Sequence, residues 1–306
     1  MQQVIRYFFV ILMFFSTMSC AVLTTSQLKM VNQLTVASDT VAAAPKTLFA
    51  ELAAVRLERG LFYAASLTSA EAREKEINAL ATATIADQKL IDRTDVYVSV
   101  LESYLRALRS LSNDVRWEQY GTEWRGLGRN IDSLLLRFNQ IDLLDTPLTI
   151  GWGKLSGQYM GYLNERYMRT SQAKTVKSFV TEGDTLVATC VDGLIEVLRT
   201  GAVADLIENE SEGLKNNYSA YLHRLEMSGE MPDIALDRKY IELTQRVEKA
   251  IYTRSRCITA LQSLKRAHKK LVTELAKRQR IDFLFDEMIE LNTLALNLES
   301  QLTIDN

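Results

Sequence analysis

Three prolines in 306 residues are too few to punctuate a chain of many short elements, and the thirteen glycines are just as unevenly placed. No glycine precedes Gly60, none falls between Gly60 and Gly121, and none follows Gly229; no proline follows Pro232. Runs this long without a breaker point to long uninterrupted helices. No period-two alternation marks a strand, and no internal repeat or low-complexity tract stands out. Histidine is scarcer still. His223 and His268 are the only two, which excludes His-rich metal sites and the paired Glu-x-x-His motifs of di-iron bundles by count. Gly-x-Ser-x-Gly, a phosphate-binding glycine loop and His-Glu-x-x-His are all missing. Nothing assigns a general acid or base, so the chain reads as a non-enzyme with no cofactor and no metal. Charge of one sign is lacking too: 36 Lys and Arg face 38 Asp and Glu, a net of −2, so any attraction to an anionic partner has to be local.

What is present begins with the first twenty residues. Arg6 supplies a basic start, an apolar run extends from Tyr7 to Phe15, and Ser16, Thr17, Met18 and Ser19 lead to Cys20. This is the order of a signal peptide, and the apolar run is too short for a permanent span, which needs roughly 20 apolar residues. Thr17-Met18-Ser19-Cys20 resembles the lipobox of bacterial lipoproteins, in which a small residue precedes an obligatory cysteine; Thr17 and Met18 depart from its commonest Leu-Ala-Gly form. The resemblance covers residues 1–20. It implies diacylglycerol on the Cys20 sulfur, cleavage between Ser19 and Cys20, and acylation of the new amine; two or three chains, palmitate among them, give stable anchoring where one is marginal. Residues 1–19 are then the leader and 20–306 the mature chain. In that class Asp after the cysteine favours the inner membrane, whereas here the residue is Ala21, which directs the expectation to the outer membrane, on the periplasmic side.

A helical pattern starts almost at once, with Ser26 as a candidate cap and Leu28, Val31 and Leu34 at helical spacing. Pro45 is expected to end this helix and a second to run from about Thr47 to Ala65. Thr68-Ser69 ahead of Glu71 and Glu74 opens a helix reaching about Leu111, with apolar residues at the three-and-four spacing of a bundle or coiled coil. Residues 113–128 hold three glycines and two tryptophans and read as a connector; a compact helix with Ile131, Leu134, Leu135, Phe138 and Ile141 on one face follows, stopped at Pro147. A long segment from about Leu148 to Met227 is expected to break near Gly183, Gly201 and Gly213. A last helix from about Asp233 to Leu302 is expected to bend or break once. The fold expected is all-α: an elongated helical bundle with long coiled-coil-like helices, with a seam near 113–150.

The polar and small residues each carry a plain reading beside a sharper one. His268 falls on the apolar stripe of Leu261, Leu264, Leu271 and Leu275, as a hydrogen-bonded core histidine does; His223 and Glu226, one turn apart, read as a surface pair. Cys190 and Cys257 both sit on apolar helix faces, and two readings stay open: a disulfide, favoured by an oxidising compartment, or two separate buried thiols. Gly153, Gly157 and Gly161 recur every four residues beside Trp152, Tyr159 and Tyr162, making a flat face for close helix packing or for a partner. From Lys249 to Arg280 ten Lys or Arg accompany one acid, Glu274. This basic stripe, with Lys265, Arg266, Lys269, Lys270, Lys277 and Arg278, is expected either to pair with the acidic segment from Glu208 to Asp237 or to face anionic headgroups or an acidic partner. The first is preferred.

These features lead to the expectation of a membrane-anchored envelope lipoprotein, held to the bilayer through acylated Cys20 and serving as a helical scaffold, adaptor or assembly factor for another envelope protein. A lipid-binding or lipid-transfer protein is the alternative. Nucleic acid is not expected as a partner.

Overall fold

The structure is a computed structural model that describes residues 25–82, 88–112, 129–136, 139, 168–277 and 285–303. Residues 1–24 with Cys20, the glycines 153, 157 and 161, Arg278, and most of the expected seam at 113–150 lie outside the described residues. Among the described residues the fold is all-α, with no strand. Its helices are α1 (Thr25–Ser66), α2 (Ala70–Thr82), α3 (Gln88–Ser112), α4 (Met168–Arg199), α5 (Gly201–Ser228), α6 (Ile234–Ala276) and α7 (Asp286–Thr303). A short helical segment at 129–136 buries Ile131 and Leu135, the face expected for it.

α1 is the hub and packs against α2, α3, α5, α6 and α7. Ion pairs and ring contacts fix the directions. Arg56 meets Glu210 and Phe62 meets Tyr221, so α5 runs parallel to α1. Glu51 meets Arg246 and Glu58 meets Lys239, so α6 runs antiparallel to it. Asp39 meets Arg109 and Lys46 meets Asp95, which makes α3 antiparallel as well. One continuous core cluster joins α1 and α3 to α7, including Leu34, Leu48, Leu101, Leu105, Leu194, Leu264 and Leu291. Each such side chain taken out of water contributes about 1.5–3 kcal/mol of hydrophobic stabilisation.

Pro45 does not end the first helix. It lies inside α1, buried, with Val41, Ala42 and Ala44 before it and Leu48, Phe49 and Leu52 after it also buried. Proline in a helix interior costs about 3 kcal/mol. Continuing the helix keeps apolar residues on both sides of it in the core, and the burial of even two or three of them outweighs that cost. Tertiary packing overrides the local signal.

Only one of the three expected glycine breaks is real. The chain turns at Thr200, between α4 and α5, where Arg254 Nε donates to the Leu198 carbonyl at 2.6 Å and satisfies the end of α4. Gly183 and Gly213 lie within helices. Gly183 and Gly193 on α4 are spaces for tyrosines: a Cβ at either would overlap the ring of Tyr104 or Tyr97 from α3. The α5–α6 turn follows the chemistry of its residues. Gly229 takes φ 69°, left-handed, with its N–H bonded to the Glu226 carbonyl, and Asp233 caps α6 by accepting from the Ala235 N–H at 2.8 Å. The C-terminal segment breaks once, as expected, after Ala276. Ser69 caps α2, which buries none of its residues and rests Leu80 over Gly60.

Candidate functional site

The described residues of the basic stripe pair at the surface with acids of the same chain, but those acids are not the expected ones. Lys265 meets Asp192 at 2.6 Å and Lys269 meets Asp184 at 2.6 Å, both on α4; Arg266 meets Glu290 on α7 at 2.6 Å; Lys277 and Lys270 meet Glu274 on their own helix at 2.7 and 3.7 Å. None of these five pairs reaches 208–237. The α1–α6 register explains why: with residue 51 opposite 246 and 58 opposite 239, the acidic segment lies at the far end of the bundle from residues 265–277. The same register sets the start of α1 level with the basic end of α6.

His268 is a buried core histidine, 1% exposed. Its Nε2 lies 2.8 Å from the Tyr104 hydroxyl and its Nδ1 3.3 Å from Asp184 Oδ1. One tautomer satisfies both contacts, with Tyr104 donating to Nε2 and Nδ1–H donating to the carboxylate. The bond from His268, with that from Lys269, holds the Asp184 carboxyl down to about 2 against the cost of burial. Burial, with the charge of Asp184 beside it, pushes the Tyr104 phenol well up, so it stays a donor. An Asp–His pair of this kind orients catalytic bases elsewhere, but here Tyr104 and His268 are sealed between α3, α4 and α6 with Phe179 stacked at 5.2 Å on the Tyr104 ring. The arrangement fixes the packing of three helices.

Cys190 and Cys257 are free and buried, two separate thiols rather than a disulfide. Burial pushes both up, Cys257 to about 12, so neither is a thiolate nucleophile at neutral pH. His223 and Glu226 form the expected exposed pair at 3.5 Å.

The polar centre that sequence reasoning missed lies toward the other end, between α1 and α5. Glu210, fully buried, accepts from Arg56 Nε at 2.5 Å and from Arg59 Nε. Asn217 Nδ2 donates to the Arg59 carbonyl at 2.9 Å. Arg56, Arg59, Gly60, Tyr63 and Asn217, with Glu76 and Leu80 of α2, line an open cavity of about 360 Å3. Arg56, Arg59 and Tyr63 stand at three-and-four spacing on one helix face, the one signal available beforehand. Beyond them Phe62, Tyr218, Tyr221 and Tyr240 cluster, with Tyr218 and Tyr240 stacked at 4.0 Å and Tyr218 donating to Asp237 at 2.5 Å. Past this cluster the α5–α6 hairpin turns, exposing Met227 (76%), Met231 (88%) and Ile234 (68%) among Glu226, Glu230 and Asp233.

Among the described residues no group of three His, Cys, Asp or Glu could hold a metal ion, and no helix is long and apolar enough to cross a membrane. Comparison with known proteins gives no relative: no family model, no curated protein and no solved structure matches the chain.

Proposed function

We propose that the chain is an envelope lipoprotein, cut before Cys20, acylated there, and built as an elongated helical scaffold or adaptor with coiled-coil-like packing. The observation that carries this reading is the placement of the two ends. The first turn of α1 begins five residues after Cys20, and α1, with 42 residues, is about 63 Å long at 1.5 Å per residue. Its last turns meet α5 beside the hairpin, so the anchored end and the apolar hairpin tip lie at opposite ends of the bundle. A body attached at its base then presents Met227, Met231 and Ile234 well away from the bilayer, on the side of the periplasm, to another envelope protein. Flexible methionines suit such a contact, and the acidic residues around them favour a protein face with basic groups over an anionic bilayer.

The lipid-carrier alternative calls for an enclosed apolar cavity. Among the described residues, the hollow under Leu48 and Ala250 holds about 20 Å3, a water's worth, and the cavity by Arg59 is open, with charged and apolar side chains mixed in its lining. Scaffold action is tested by placing a photo-crosslinking residue at Met231 and, separately, at Thr259 on the exposed side of α6. A discrete envelope protein joined at 231 and not at 259, and lost on Met227→Asp, supports the reading. Equal labelling at both positions contradicts it.

A further inference from the structure

We infer that the cavity beside Arg56 and Arg59 is a binding site for a phosphate-bearing anion. The argument starts from the burial of Glu210. Taking the Glu210 carboxylate fully out of water and two guanidinium groups mostly so is costly, and apolar residues of similar volume usually serve stability as well or better. The fold alone therefore gives no reason to keep three charges between α1 and α5. Their arrangement does: Glu210 engages the Nε of each arginine. A guanidinium carries five N–H donors, four of them on its two Nη atoms, and at Arg59 these form the edge that matches phosphate oxygens. The Arg59 edge runs over Gly213, where a Cβ would stand 2.7 Å from Nη1, so the missing side chain on α5 is what lets the guanidinium lie as it does.

The trio carries a net charge of +1 at the inner wall of the cavity. Asn217 and Tyr63 add neutral polar groups to the wall, and the volume, about 360 Å3, admits a phosphate ester with a small organic portion. Glu76 is the opposing charge. It lines the same cavity from α2, the helix that buries none of its residues, and in the absence of a ligand it balances the local field without being needed for the fold. Glu210 is then a positioning residue and Arg59 a ligand-contacting one. The phosphate could be free in the periplasm or part of a lipid headgroup; α1 places Arg59 34 residues, about 50 Å, from its first residue, so a headgroup would come from a molecule other than the anchor.

The test uses the full processed protein in non-ionic detergent at fixed ionic strength, followed by phosphorus NMR and calorimetry. Inorganic phosphate, short-chain phosphatidylglycerol below its micelle concentration, and short-chain phosphatidylcholine as control are titrated separately. Saturable binding of phosphate identifies a free ligand; binding of phosphatidylglycerol alone identifies a headgroup. In either arm Glu76→Gln, which leaves the core untouched, should tighten binding about threefold or more by removing the opposing charge. Arg59→Lys, which keeps the charge and loses the fork, should weaken it about tenfold with an unchanged helical spectrum. Absence of saturable binding in both arms, or binding that neither substitution moves, overturns the assignment.

Discussion

A Cβ on Gly183 would overlap the phenol ring of Tyr104, so α3 and α4 are packed as closely as they are because position 183 has no side chain. Tyr104 fills that space, stacks on Phe179 and reaches His268 on α6. Gly183→Ala is therefore expected to destabilise the fold by about 1–3 kcal/mol, the cost of overpacking a rigid site. Gly201→Ala, where a Cβ meets nothing within 4 Å, should be neutral or stabilising by up to about 1 kcal/mol. Urea denaturation followed by circular dichroism at 222 nm separates the two.

Asp184 gives the fold a defined acid sensitivity. Its folded-state carboxyl is depressed to about 2 from an ordinary value of 3.8, chiefly by the bond from His268. A depressed carboxylate contributes stability that is present above its unfolded value and lost as pH falls through its folded one. The melting temperature of the wild type should thus fall more steeply between pH 4 and pH 2 than that of Asp184→Asn. Parallel curves for the two proteins across that window would contradict the assigned contacts.

The all-α fold was legible because breakers are rare, and so were the cap at Ser69, the start of the last helix near Asp233 and the burial of His268 on its apolar stripe. Pro45 misled because helix propensity is local, whereas the burial of Val41 and Leu52 on either side is not. Gly183 and Gly201 are the same residue type in similar stretches, and only the neighbour decides: a tyrosine fills the space at one, open solvent surrounds the other. The acids opposite Lys265, Arg266 and Lys269 were misassigned because net charge per segment carries no information on helix register. The Arg56, Arg59 and Glu210 trio was invisible for the same reason, joining residues about 150 positions apart.

The α4–α6 pairs are exposed, so their effect is small and best read as an exchange. Lys265→Asp alone should cost about 0–1 kcal/mol by facing Asp192 with a second acid, and adding Asp192→Lys should restore the loss. Thermal melts of both single variants and the double variant complete the cycle. Charge reversal at Glu208, on the segment first expected to face the stripe, should show no coupling to position 265.

Cys190 and Cys257 are expected to be free. Denaturing the purified protein without reductant and labelling with a maleimide should modify both residues, whereas the folded protein should label slowly because both thiols are buried and protonated. Failure of both to label after denaturation, reversed by reductant, would show that they are bonded.

Attachment to the membrane through Cys20 is tested most directly by growing cells that make the wild type or Cys20→Ala with labelled palmitate and examining the isolated protein. The wild type should carry label, run at the size of the processed chain and sediment with membranes, while Cys20→Ala should be unlabelled, unprocessed by the lipoprotein peptidase and without the acyl anchor. Label in Cys20→Ala at the wild-type level, or a wild-type protein that carries none, would contradict anchoring at this cysteine.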